Sequence, residues 1–306
     1  SHHISYFPSI KTISDFARIM SKYVTNMELS SQKARMTAAE LYDVTSATGG
    51  VLIPAHAFTP HKSLYGNAGR RLREVIDRGD DSVYAIELGL SADTNIADHL
   101  SELENVTFLS NSDAHSIEKI GREYNIIEME KPNFQEFILA LKRRLGRRIS
   151  ANVGIDPRLG RYHRTFCPKC SKVQLEPPPV FSCRFCGAGR DEVVPGVLDR
   201  IKEIADKNLP SHPAHRPPYR YQIPLSFVPG INDRIMSYLL NYFGTEMAIL
   251  NVATDEEIKK ALNPEIAKNL IDARSGRLKM TPGGGGRYGR VYDREVKYEQ
   301  LTIGFN

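Results

Sequence analysis

Apolar residues in the first half of the chain recur with two different periods. Ile13, Phe16, Ala17, Met20 and Val24 keep the three-to-four spacing that gathers side chains on one helix face. A second helix is expected over 37–47, where Thr37 and Glu40 stand at the spacing of a capping box. Short apolar runs follow at 51–55, 83–88, 106–109 and 126–129, each bounded by Gly, Asp, Asn or Ser as buried strands usually are. That rhythm predicts an α/β domain with its strands at the centre, and in such sheets chemistry gathers at strand ends. A helix rich in Lys and Arg is expected over 134–148 to close this domain. The stretch 151–195 is short, proline-bearing and poor in strand signals. From Gly196 the pattern turns helical, with a Pro-rich break at 209–218 that reads as a linker or an extended strap. A Gly run at 281–287 precedes a tail, 288–305, that alternates like a terminal β-hairpin. Three domains are expected: 1–148, 149–195 and 196–306.

Composition narrows the class. With 306 residues, 41% of them hydrophobic and 25% charged, the chain can bury a real core. No apolar run approaches the roughly 20 residues of a membrane helix, and the N-terminus lacks a secretory pattern, so a cytoplasmic protein with no membrane partner is expected. The net charge of +5 permits a polyanionic partner without requiring one. The chain opens at Ser1 in what reads as the middle of a domain, and an N-terminal truncation is expected.

The four cysteines carry the sharpest chemistry. Cys167 and Cys170 form one Cys-x-x-Cys turn, and Cys183 and Cys186 form another twelve residues further on. Two such turns offer four thiolates to a tetrahedral zinc ion, and a closed all-thiolate site serves folding. Two disulfides, reduced thiols or a redox role are the alternatives; the paired copy argues against the last. With every cysteine in one segment, none is left to tie distant parts of a secreted fold.

A second donor set stands past two expected strands. His56 follows the run 51–53, and Asp113 and His115 follow 106–109. A carboxylate with imidazoles is a mixed O/N set that suits Zn, Mn or Fe. Asp113 acting as a helix cap near Ser116, with the histidines as polar loop residues, fits the spacing equally well.

The strings PAHAFTPHKSLYG (54–66), IELGLSADT (86–94) and FLSNSDAHS (108–116), followed by the cysteine pairs, resemble the endonuclease Q family over nearly the whole chain. The resemblance implies a PHP-like (β/α) barrel-type phosphoesterase domain with its N-terminal part missing, then a small zinc module and a helical C-terminal domain. It implies a metal-dependent cut on the 5′ side of uracil, hypoxanthine or xanthine in DNA, with the damaged base flipped out. His56 then matches the third metal motif, and Asp113 with His115 the fourth. His2, ahead of Phe7-Pro8 with His3 beside it, looks like a further ligand, although a tag remnant gives the same residues. The bound ions would be Zn, Mn or Mg. The family's opening His-x-His motif and strand-end glutamate would lie before Ser1, so weak or no activity is expected of the chain as given. His61 and Lys62 are candidates for phosphate, Phe58 and Tyr65 for stacking on a base, and Glu87 for a ligand, a base or a core carboxylate.

Towards the C-terminus, Gly230, Ile231 and Asn232 precede a helix carrying Ile235, Met236, Leu239, Leu240 and Phe243, which resembles a helix-hairpin-helix. Asn232 stands where the second glycine is usual, and a fainter hairpin spans 256–276. Arg277, Lys279, Arg287 and Arg290 surround Gly283–Gly286, whose backbone is expected to approach phosphates; no P-loop lysine accompanies it. Arg158, Arg161, His163 and Arg164, interleaved with Tyr162 and Phe166, read as a nucleic-acid track or a solvated strand face. Gln300, Leu301, Thr302, Ile303, Gly304 and Phe305 look like a hexapeptide that docks on a sliding clamp, or an edge strand. A non-catalytic DNA-binding or clamp-associated protein and a PHP-type phosphatase for a small phosphoester are the competing functions.

Overall fold

The short apolar runs fold into strands of three to eight residues that share one α/β scaffold, in a computed structural model that describes residues 1–29, 33–79 and 82–292. β1 (His3–Tyr6) pairs antiparallel with β2 (Val51–Pro54), His3 opposite Pro54. β3 (Ala85–Glu87) runs parallel to β4 (Thr107–Leu109). β5 (Tyr124–Glu128) is antiparallel to β6 (Arg148–Ile155), and β9 (Tyr219–Gln222) joins the other side of β6 in parallel. Side chains knit these pieces together. Asn152 in β6 donates to the Phe108 carbonyl and to the Asn125 Oδ1, both at 2.9 Å, and Asn125 Oδ1 accepts from Ser110 N. The Ala57 amide donates to the Glu87 carbonyl at 2.9 Å, so the turn after β2 is tied to the end of β3.

Helices cover the scaffold where their apolar faces dictate. α1 (Ile10–Met20) and α2 (Ala38–Ala47) follow β1, and α2 begins at Thr37 with the capping box expected there. α3 (Thr94–Ala97) and α4 (Phe134–Leu141) lie further along, and Leu141 packs with Ile53, Ala85, Leu109 and Ile149. The helix expected over 134–148 stops at Leu141. Arg143 and Leu145 both sit at φ 53° and Gly146 at 77°, a left-handed turn that ends the helix and lets β6 begin at Arg148. The residues expected to open a strand-poor module are therefore the longest strand of the sheet. Because β6 pairs with both β5 and β9, the sheet crosses the boundaries expected at 148 and 195.

The cysteine segment carries its own small hairpin, β7 (Phe166–Cys167) with β8 (Lys172–Val173). α5 (Val197–Ile204) follows it and buries Val197, Ile201 and Ile204 against Ile86, Leu100 and Phe108 of the first core. A second core is built by α6 (Asp233–Phe243), α7 (Glu246–Asn251), α8 (Asp255–Ala261) and α9 (Pro264–Arg274), with Ile155 and Leu159 beneath them. β10 (Lys279–Thr281) and β11 (Arg290–Tyr292) close an antiparallel hairpin around the glycine run.

The Pro-rich break is a strap. Arg216 pairs with Asp98 at 2.8 Å with both side chains almost fully buried, its guanidinium lies 3.5 Å from the Phe108 ring centre, and His212 Nδ1 reaches the same carboxylate at 2.7 Å. The remainder of the alternating tail and the clamp-like residues 300–305 lie outside the described residues. Among the described residues no helix is long and apolar enough to cross a membrane.

Candidate functional site

The two cysteine turns meet face to face. β7, β8 and the left-handed Ser171 between them present Cys167 and Cys170, and the turn after residue 182 presents Cys183 and Cys186. All four are free thiols with their sulfurs within 4.8 Å of one another; Cys167 Sγ is 3.6 Å from Cys186 Sγ and Cys170 Sγ 3.4 Å from Cys183 Sγ. The buried Gln174 Nε2 points at Cys183 Sγ from 3.4 Å. Burial and the neighbouring thiols push Cys170 up to about 12, while at Cys183 burial is outweighed by the Cys186 and Phe185 amides, which hold it at about 7. Four thiols so crowded cannot all ionise without a cation, and this donor set is the one a structural zinc takes. The residues present fit that ion.

The second donor set is assembled by the sheet. His2 stands at the start of β1, its carbonyl accepting from Ala55 N at 3.1 Å, and this brings His2 Nδ1 to 3.2 Å from His56 Nε2. The rings meet edge to face at 5.2 Å. His56 adopts φ 31°, and the close approach is permitted by Gly89, at φ 75°, where a Cβ would stand 2.9 Å from the His56 Cβ. His56 Nδ1 is held by Thr59 Oγ1 at 3.0 Å, which leaves Nε2 facing His2. Burial, then the neighbouring cations, lowers the His2 pKa. Burial also lowers that of His56, against the pull of Asp113. Both are therefore neutral near pH 7, the form with a lone pair to give a metal.

Asp113 lies on the exposed turn after β4 at φ 42°, and its carboxylate acts electrostatically on both imidazoles. His115 is exposed, with Nδ1 3.0 Å from the Asp113 carbonyl. Among the described residues the four cysteines are the one group of three or more such donors within 4.8 Å; His2, His56, Asp113 and His115 do not close to that distance. Glu87, at the end of β3, is buried, which pushes its carboxyl up to about 7, and Asn111 Nδ2 lies 3.3 Å from its Oε2.

Spacing missed a buried polar layer beneath these residues. Glu123 is fully enclosed and pushed up to about 8 by burial, with Oε1 accepting from Ile155 N at 2.8 Å. Its neighbours include Tyr219, whose hydroxyl lies 2.2 Å from where a Gly154 Cβ would stand. The signal was Asn152, a buried amide inside the apolar run 149–155.

The residues expected to touch nucleic acid divide. His61 and Lys62 are exposed beside His2, and the Lys62 carbonyl accepts from His2 N at 2.6 Å. Phe58 and Tyr65 are fully buried, stacked at 5.2 Å, so they support the site from within and offer no free face to a base. Gly230 takes φ 89° and packs against Ile266 of α9, with Ile231 half-buried beside it. Asn232 is not left-handed: at φ −108° its side chain caps α6, accepting from Ile235 N at 3.0 Å. Arg161, Arg287 and Arg290 are exposed. Arg164 is not: buried, it pairs with the fully enclosed Asp199 at 3.1 Å and donates to the Glu176 carbonyl, which makes it structural. Gly283 and Gly285 face residues 160–166 so closely that a Cβ would collide with Gly160 O or the Phe166 ring. At these two positions the run meets protein, not phosphate.

Similarity to known proteins follows the same layout. A family model described as PHP-associated matches residues 95–144. The uncharacterized protein YqxK of Bacillus subtilis is 42% identical over 291 residues, 95% of this chain and 73% of that one. An uncharacterized protein of Methanocaldococcus jannaschii is 36% identical over 264 residues, 80% of this chain and 32% of that one. Among solved structures, the lesion-specific endonuclease PfuEndoQ from Pyrococcus furiosus superposes with a TM-score of 0.81 at 33% identity, over all of this chain and 79% of its own. An Endonuclease Q in complex with a 27-mer duplex, an abasic lesion at its active site, gives 0.83 at 33% identity over 98% of this chain and 79% of that one.

Proposed function

The chain belongs to the endonuclease Q family, and from that premise we propose that it is a DNA repair endonuclease cutting a phosphodiester on the 5′ side of a deaminated base, uracil, hypoxanthine or xanthine. His2, His56, Asp113 and His115 are the residues that would hold divalent ions, Zn, Mn or Mg. The chemistry such ions would supply there is polarisation of a phosphate and activation of a water. The chain's own part is to keep both imidazoles neutral, to aim Asp113 by its left-handed turn and to set His61 and Lys62 where a phosphate can be held. Glu87, with its carboxyl near 7, is placed to take or give a proton at the strand end. Arg161, Arg287 and Arg290, with the Gly230 turn, would carry the backbone of the duplex, and the lesion base would leave the stack, because its altered edge is hidden in the duplex. A reducing cytoplasm is the compartment in which the four thiols stay available for zinc.

One observation carries this reading: the His2–His56 contact lies at the strand ends, under the field of Asp113, in a chain 33% identical to an Endonuclease Q crystallised with duplex at its active site. A nicking assay tests it, with uracil- and hypoxanthine-containing duplexes and Mg²⁺ or Mn²⁺. Lesion-dependent cuts on the 5′ side support the proposal. Hydrolysis of a small phosphoester alone points to a phosphatase. The four donors' failure to close within 4.8 Å favours a second reading, a non-catalytic DNA-binding protein, which predicts duplex binding without cutting.

A further inference from the structure

The exposed turn that carries Asp113 is fastened at a point no sequence motif marks. Asp113 adopts a left-handed backbone at φ 42°, and residues 113–120 are all exposed. The half-buried Arg122 reaches back under this turn. Its Nε donates to the Ser112 carbonyl at 2.8 Å, and one terminal nitrogen lies 3.4 Å from the Asp113 carbonyl. The other terminal nitrogen donates to the Tyr288 hydroxyl at 2.8 Å. Arg122 is itself anchored, since its carbonyl accepts from Gln222 Nε2 of β9 at 2.8 Å.

Tyr288 comes from the C-terminal hairpin, between the glycine run and β11. Its ring meets Phe227 edge-on at 5.3 Å, and the Arg161 guanidinium lies 5.2 Å from its centre while donating to the Gly286 carbonyl at 2.6 Å. One continuous series of contacts thus runs from Gly286 through Arg161, Tyr288 and Arg122 to the backbone of Asp113. Only a planar guanidinium offers donors in a fixed fork to two carbonyls and a phenol at once, which a lysine cannot reproduce.

We propose that Arg122 is a positioning residue of the metal centre: it ties the Ser112 and Asp113 carbonyls to Tyr288, so that the C-terminal hairpin sets the pose of the Asp113 carboxylate. The inference rests on Asp113 being a metal ligand. Groups that orient ligands in this way typically change metal affinity by about 10- to 100-fold when removed.

Titration of the chain with Mn²⁺, read from the electron paramagnetic resonance signal of the free ion, tests this with zinc content and thermal melts measured alongside. R122Q should bind Mn²⁺ about 10- to 100-fold more weakly and Y288F about 10-fold more weakly, with zinc content unchanged. The double variant should bind no more weakly than R122Q alone, because both remove the same tie. Losses that add, as two unrelated structural defects would, contradict the proposal. So does wild-type Mn²⁺ affinity in R122Q and Y288F when D113N has lost it, an outcome that leaves the metal reading standing. Equal Mn²⁺ binding by D113N and wild type removes the metal reading and this inference together. Should R122Q fail to fold, Y288F carries the test, since it deletes one oxygen and keeps the ring.

Discussion

Two donor sets of four residues, one fitting a structural zinc and one proposed for catalytic ions, show how differently a sequence can encode a candidate site. The thiol set spans 167 to 186, comes from two tight turns and closes to within 4.8 Å by local geometry. The His/Asp set spans 2 to 115 and comes from three separate strand ends; His2 touches His56 and His115 touches the Asp113 carbonyl, but the four do not close to 4.8 Å. A Cys-x-x-Cys turn dictates its own shape, whereas His56 depends on the Gly89 turn across the sheet and Asp113 on a fastening by Arg122. The first site can be read from spacing; the second is a product of the whole fold.

Breaking the local site should have the largest effect. Cys167→Ser with Cys183→Ser removes half the thiolates, and elemental analysis should show about one zinc lost per chain. Structural zinc is worth on the order of 10 kcal/mol in a small module, so limited proteolysis should then cut within 149–195. Next in size is a substitution that reaches only the assembled site. Gly89→Ala places a methyl 2.9 Å from the His56 Cβ in a left-handed backbone, and should weaken Mn²⁺ binding and nicking at least about 10-fold while zinc content stays at wild type. Equal zinc loss in both variants would show that the two sites are not independent.

The two regions should also answer pH in opposite directions. Glu123, raised from 4.5 to about 8 by burial, is neutral when folded and ionised when unfolded near pH 7, so folding takes up a proton. Its contribution is fully present below pH 4.5 and is lost as pH rises towards 8. Glu123→Gln should flatten that fall, by about 2–4 kcal/mol in chemical unfolding between pH 5 and 8. Zinc retention should instead improve with rising pH, because thiols must ionise to bind. The smallest effect belongs to the surface cations: Arg287→Ala or Arg290→Ala should weaken duplex binding and reduce its salt dependence by about one unit each, whereas Arg164→Ala should lower the melting temperature.

What could be read in advance follows the same division. The capping box at Thr37, the strands at 51, 83 and 106, and the thiol cluster all rest on patterns within a few residues. In the sequence Arg164 looks like a surface cation, because nothing within twenty residues shows that Asp199 waits for it 35 positions on. Phe58 and Tyr65 look like stacking rings until the fold closes over them. β6 was hidden because the basic residues before it extend a helical pattern that only the left-handed turn at Arg143 to Gly146 interrupts. Arg122 carries no motif at all; its role arises from a tyrosine 166 residues away.

Under the proposed function, Asp113 works with His2 and His56 in cutting DNA. Single-turnover cleavage of a uracil-containing duplex, by the chain and its Asp113→Asn variant, measures this directly. We expect the variant to bind the duplex with unchanged affinity and to cut at least about 100-fold more slowly. Cutting at the wild-type rate by the variant would place the chemistry elsewhere in the molecule.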